Sequence, residues 1–243
     1  MIPLRDINPT SRTPVVVIAL IAVNALAFFS ELSLNERQLT RFVYEYGVVP
    51  VFYFGDPERF GLPDKSTYLS LLTSMFLHGG FMHLLGNMWF LWIFGDNIED
   101  RLGRVRFLIF YLLSGLGATA VHILFNLDSP VPTIGASGAI AGVLGAYIVT
   151  FPRARILTLF PFIFIMTTIE IPAIFVIGEW FVVQLFRGTA SIVEPKAMGG
   201  VAWWAHIGGF VVGILLMKLM QPPRRPSRGY DDPDYSEERR WYR

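Results

Sequence analysis

The sequence predicts an all-α membrane protein, a bundle of six transmembrane helices with cytoplasmic N- and C-termini. Three observations carry that prediction. Of 243 residues, 53% are hydrophobic and only 16% charged, and the mean hydropathy is +0.49; soluble domains carry about 25% charged residues. Apolar runs of about 20 residues recur along the chain, long enough to cross a hydrocarbon layer of about 30 Å. In lipid a backbone must satisfy its own hydrogen bonds, so such runs are read as helices. Third, basic residues gather in alternate connections between the runs, which sets an orientation. The length allows one domain. Cysteine is absent, which excludes a disulfide framework and thiolate chemistry. The net charge of +1 points to no nucleic-acid partner.

Residues 1–13 form a cytoplasmic N-terminal segment, and residues 14–220 hold the membrane domain. The first span, 14–32, follows a long polar stretch and precedes no A-x-A-like cleavage site, so it is read as retained rather than as a signal peptide. A long first loop, about 33–77, contains "VVPVFYF" and "YLSLLTSMF", amphipathic pieces suited to lying at the interface on aromatic anchors. The second and third spans cover 80–98 and 106–126, and a short fourth covers 135–151. "ILTLFPFIFI" (156–165) contains Pro161 and is expected to be an interfacial or re-entrant segment. The fifth and sixth spans cover 170–187 and 200–220, and residues 221–243 form a mixed-charge tail expected to be disordered. Arg5, Arg12, Arg101, Arg104, Arg106, Arg153, Arg155 and the arginines of "QPPRRPSR" fall on one side of a six-span chain. By the positive-inside bias that side is the cytoplasm. The expected location is therefore the cell (cytoplasmic or inner) membrane, as a multi-pass protein.

Polar residues inside spans are expensive, so each is a functional candidate. His83 and Asn87, four apart on the second span, share a helix face. Ser137 opens the fourth span, and His206 lies early in the sixth. Spans two, four and six run in the same direction, so these four residues fall at one depth, near the outer surface. Ser137, Ala141 and Gly145 recur on one face of the fourth span; Gly209 and Gly213 form a small-xxx-small pair one turn past His206. Such faces let backbones approach closely, which would bring a serine hydroxyl to an imidazole. A hydroxyl is a weak nucleophile until a base takes its proton, and histidine titrates near the working pH. His83 and Asn87 would supply donors to a developing oxyanion. Singly, a serine in a span commonly bonds back to its own helix and a buried histidine is commonly structural; the four at one depth are a constellation. His122 stands outside it, His78 is placed to cap or brace the first loop, and Glu179 and Gln184 are polar at depth in the fifth span, where they could pair within the bundle.

These pieces resemble the rhomboid family of intramembrane serine proteases. "GASG" (135–138) matches the family's G-x-S-G, "AHIGGFVVG" (205–213) its A-H-x-x-G-x-x-x-G, and "HGGFMHLLGN" (78–87) carries its H-x-x-x-N pair. The resemblance covers about residues 14–220. It implies a Ser–His dyad without an acidic third member: Ser137 as nucleophile, His206 as base and then acid, and His83 and Asn87 with the Ser137 N–H as oxyanion hole. It implies no cofactor and no metal, and single-pass transmembrane proteins as substrates, cut near the outer face of the lipid bilayer. Span five, with Phe175, Trp180 and Phe181, resembles the mobile gate through which substrates enter. Glu99 fits the family's acidic position at the end of span two. Ala141 departs from members that stack an aromatic residue on the histidine, and the first loop lacks the Trp-Arg pair some members carry. The competing reading is a catalytically inactive rhomboid-like binder or chaperone of membrane proteins; such relatives typically lack the serine or the histidine. A transporter would place polar groups near mid-membrane. A zinc protease would show H-E-x-x-H, and the sequence has none.

Overall fold

A computed structural model describes residues 1–62, 68–162, 165–193 and 202–222. The tail expected to be disordered lies almost wholly outside the described residues. The elements are β1 (Ile2–Asp6), α1 (Val15–Glu31), α2 (Glu36–Tyr46), α3 (Val51–Phe54), α4 (Ser70–Thr73), α5 (Phe81–Leu102), α6 (Arg104–Leu124), α7 (Ser137–Thr150), β2 (Arg155–Phe162), β3 (Ile165–Pro172), α8 (Ala173–Val193) and α9 (Trp203–Met220). Helices thus stand at each of the six expected spans. Three of them, α6, α8 and α9, are long and apolar enough to cross a membrane by length and composition. α1 and α7 are apolar but shorter, and α5 ends in the charged run Asp96 to Arg101.

The fold is mostly helical rather than all-α. Within "ILTLFPFIFI", residues 156–162 lie in β2 and Ile165 opens β3 of a three-stranded antiparallel sheet of order β1-β2-β3. Its β-branched and aromatic residues favour an extended chain. Pro161, which cannot donate to a ladder, lies past the end of the β1 pairing, which stops at Ile2 opposite Leu159. The β2–β3 hairpin leaves and returns at the same end of α7: Ala173 N–H donates to Ala154 O (2.8 Å) and Ile174 N–H to Pro152 O (3.1 Å). It adds no helix to the bundle.

The apolar pieces of the first loop each have a buried side and an exposed side. Val48, Val49 and Val51 are wholly buried, as are Ser74 and Met75. The valines of "VVPVFYF" turn inward, whereas Phe54, Tyr68 and Leu69 are exposed. α2 is the amphipathic piece, started by a capping box in which Asn35 and Gln38 exchange side-chain and backbone bonds.

The helix bundle is held by small residues and by buried polar staples. α7 and α9 meet backbone to backbone. A Cβ on Gly209 would lie 2.0 Å from Gly138 O, one on Gly213 2.1 Å from Gly142 O, and one on Gly145 2.2 Å from Phe210 O. The contact glycines are Gly138, Gly142 and Gly145: the expected row of Ser137, Ala141 and Gly145 shares Gly145, and Gly138 and Gly142 lie one residue round from its other two members. Glu99, buried at the end of α5, accepts from Val16 N–H (3.0 Å) and Val17 N–H (2.8 Å). A carboxylate there satisfies two orphan donors at the start of α1 and complements the positive end of its dipole. Glu99 is thus a cap, not a solvated loop charge. At the far end of α7, Asp6 of β1 accepts from the Tyr147 hydroxyl (2.8 Å) and from Asn97 Nδ2 (2.7 Å), and Asn8 bonds Asn97.

Two expectations follow. Gly213→Val places methyl groups into backbone and should lower the thermal midpoint in detergent by the equivalent of about 1–3 kcal/mol or more. Gly86→Ala, where nothing lies within 4 Å of a Cβ, should leave it unchanged or slightly raised. Burial pushes the Asp6 carboxyl from 3.8 up to about 7, opposed by the Tyr147 hydroxyl and reinforced by the Asp96 carboxylate. The folded state then holds a proton that the unfolded chain releases, so the stability from this site is present at low pH and lost as pH rises through about 7. The midpoint should fall between about pH 5 and about pH 8, and Asp6→Asn should flatten that fall.

Candidate active site

Ser137 is the first residue of α7, His83 the third of α5 and His206 the fourth of α9. These helices begin at the same end of the bundle, which brings the side chains together. The approach to Ser137 is fixed by the first loop. Val48 and Thr133 exchange backbone bonds (3.0 and 2.7 Å), and Gly135 N–H donates to Ser74 O at 2.8 Å. Gly135 has φ +128, a conformation that side chains resist. It turns the chain into α7 beside His83, since a Cβ there would lie 2.8 Å from His83 Cε1 and Nε2 and 3.7 Å from Asn87 Nδ2.

The close approach of α7 and α9 sets the central contact. Ser137 Oγ lies 2.8 Å from His206 Nε2. His206 Nδ1 lies 2.8 Å from Gln184 Oε1 on α8, and Gln184 Nε2 donates to Trp180 O at 3.1 Å. An amide oxygen only accepts, so a hydrogen bond here requires the imidazole proton on Nδ1, the tautomer in which Nε2 can accept the serine O–H. The His206 ring is flanked by Trp180 (5.8 Å between centroids) and by the edge of Trp203 (6.1 Å). Trp204 stacks instead on Phe125 at 3.9 Å. With Ala141 in the place of an aromatic neighbour, these two rings frame the imidazole.

His83 Nδ1 accepts from Gly79 N–H at 3.4 Å, a long contact that leaves the proton on Nε2, facing Gly135. Asn87 Nδ2 is buried and has no hydrogen-bond partner among the described residues. Two side-chain donors therefore converge beside Gly135, two residues before Ser137. His78 packs edge-on against His83 at 5.1 Å, and burial pushes its imidazole down to about 4, so a neutral ring braces the donor. His122 bonds Thr133 Oγ1 through Nε2 (2.9 Å) and so pins the segment that leads into α7. A cavity of about 30 Å³, lined by Ser74, His122, Thr133, Gly135 and Ser137 among others, opens beside the serine. Glu179 is exposed. Among the described residues no cluster of histidines and carboxylates suits a metal.

All four sequence candidates thus fall in one neighbourhood. The sequence reading missed the link from Gln184 to His206; a glutamine deep in an apolar span was its only signal. It also missed Ser74, which acts through a backbone carbonyl and leaves no trace in residue type.

A serine, an imidazole and two convergent donors thus meet at one end of a helical bundle. The Rhomboid domain family model matches residues 65–222, well over half the chain, and the chain belongs to the rhomboid family of membrane proteins. It is 32% identical over 163 residues to RHOMBOID-like protein 6, mitochondrial, of Arabidopsis thaliana, covering 63% of this chain and 44% of that protein. It is 33% identical over 153 residues to Rhomboid protein 1, mitochondrial, of Saccharomyces cerevisiae (60% and 40%). Against Rhomboid protease GluP of Bacillus subtilis it is 41% identical over 93 residues (38% and 18%). The chain spans less than half the length of each of these relatives. The first two are named as mitochondrial, which overturns the expected cell-membrane location. The basic-residue bias reports which ends share a side, and that carries no information on which membrane the sides belong to.

Gly135→Ala should cost about 1–3 kcal/mol in thermal stability through its backbone angle and displace the His83 ring, seen as a shift of its ¹⁵N resonances. Gly79→Ala, whose Cβ would reach His83 Nδ1 only at 4.0 Å, should leave both nearly unchanged.

Proposed function

We propose that this protein is an intramembrane serine endopeptidase that cuts single-pass transmembrane proteins. The observation that carries the reading is the 2.8 Å contact of Ser137 Oγ with His206 Nε2. In this reading residues 14–220 are the protease domain, α1, α5, α6, α7, α8 and α9 cross the bilayer, and the termini share one face. The dyad lies near the other face, where water reaches it; hydrolysis needs water, and the bilayer core has none.

The chemistry follows from the donor directions. Ser137 Oγ attacks the scissile carbonyl carbon while its proton passes to His206 Nε2. The C=O electron pair moves onto oxygen, and His83 Nε2–H, Asn87 Nδ2–H and the Ser137 backbone N–H receive the oxyanion. The intermediate collapses, the C–N bond breaks, and the Nε2 proton leaves with the amine. A water then gives a proton to Nε2 and attacks the acyl-serine, and the returning proton restores the Ser137 hydroxyl. A peptide bond inside a helix is shielded by its own hydrogen bonds, so a substrate span must unwind locally, and helix-weakening residues near the cut favour cleavage.

Purified protein in liposomes is expected to cut a model single-span substrate. Ser137→Ala and His206→Ala should each lower the rate by about 10³-fold or more with an unchanged melting profile; Asn87→Ala should lower it by about 10²–10³-fold. Equal rates for the parent, Ser137→Ala and His206→Ala would overturn the reading. Tight capture of the substrate without cutting would favour a binder of membrane proteins.

A further inference from the structure

We propose that Gln184 is the positioning residue of this site: it stands where a carboxylate would stand in a triad and selects the Nδ1–H tautomer of His206 from the neighbouring helix α8. The geometry leaves one consistent assignment. Gln184 is buried, 5% exposed, and its two amide atoms have different partners. Nε2 donates to Trp180 O at 3.1 Å, and Oε1 faces His206 Nδ1 at 2.8 Å. Turning the amide over would set Oε1 against the Trp180 carbonyl, acceptor against acceptor. It would also set the NH₂ donors against Nδ1, forcing the imidazole proton onto Nε2. Nε2 would then donate to Ser137 Oγ, and no base would remain to take the serine proton. The orientation that satisfies both bonds is also the one that leaves Nε2 free to accept.

The packing of α8 on α9 holds this arrangement on both sides of Gln184. One turn before it, Phe181 stacks on Phe210 at 4.2 Å. One turn after it, Gly188 lets α9 approach so closely that a Cβ there would meet Ile207 Cδ1 at 2.9 Å. The tautomer that a free histidine favours in water carries its proton on Nε2, so a fixed acceptor at Nδ1 changes the ring's state. A neutral amide does this without adding a charge, unlike a carboxylate, which would also stabilise an imidazolium.

The tautomer can be read without activity, because the chain has four histidines and side-chain ¹⁵N shifts separate the two neutral forms. Full-length protein labelled with ¹⁵N-histidine is measured in detergent at alkaline pH, where imidazoles are neutral, with His206→Ala to assign the signal. The parent should give Nδ1–H at His206. Gln184→Leu, which keeps the volume and removes the acceptor, should lose that signature. Gln184→Glu, which keeps an acceptor, should retain it. The consequence for rate rests on the protease reading: kcat should fall by about 10²-fold in Gln184→Leu with KM changed less than about two-fold, and Gln184→Glu should recover much of it. An Nε2–H tautomer in the parent, or an unchanged signature or kcat in Gln184→Leu, would overturn the proposal. If the tautomer behaves as stated while the parent cuts no substrate, the positioning role stands and the protease reading fails.

Discussion

The approach of α7 and α9 is the constraint on which the site depends. Gly138 and Gly142 on one helix face Gly209 and Gly213 on the other, with carbonyl oxygens occupying the space that side chains would fill. Lipid supplies little hydrophobic drive for helices to associate, so close backbone contact and the dispersion it brings do that work. Ser137 precedes the first contact glycine of α7, and His206 lies one turn before Gly209. A hydroxyl and an imidazole carried on helices this close meet without either backbone leaving its regular path. Larger residues at the contact would part the helices and the 2.8 Å bond together.

Polar groups in this bundle are few, and most do two jobs. Glu99 ends α5 and caps α1. Thr133 pairs with Val48 and bonds His122, so the first loop and α6 both govern how the chain enters α7. Asp6, Asn97 and Tyr147 tie β1 to the opposite end of that helix. α7 is thereby held at both ends by polar contacts and along its length by glycine. In the proposed reading, a rigid α7 suits a nucleophile that must be placed to within a fraction of an ångström. Asn87 Nδ2, beside Gly135, is one of several buried polar atoms without a hydrogen-bond partner among the described residues; in the proposed reading it is the donor kept for charge that develops later.

Much of this was legible in the sequence because it rests on periodicity and residue type. Apolar runs located the six long helices, and the spacing of His83, Asn87, Ser137 and His206 set them at one level. What escaped has physical reasons. The β2–β3 hairpin is built of residues as apolar as a span, and a short apolar run does not declare whether it is helix or strand. Of the expected row on α7, Gly145 lies in the contact face, while Gly138 and Gly142 were passed over because glycines crowd that helix and a four-residue repeat can be started from more than one of them. Gln184 was visible only as a polar residue at depth. Its partner lies 22 positions away on another helix, and local spacing does not encode a bond between helices. The membrane itself was beyond the charge pattern, which orders sides and names neither.

The most direct test of the account is whether His206 makes Ser137 a nucleophile. A fluorophosphonate reacts with an activated serine irrespective of substrate preference, and intact mass with peptide mapping reports how many adducts form and where. The account predicts one adduct per chain, on Ser137, lost in His206→Ala while the protein remains folded. An adduct elsewhere, or labelling of Ser137 that persists at the parent rate without the imidazole, would contradict it.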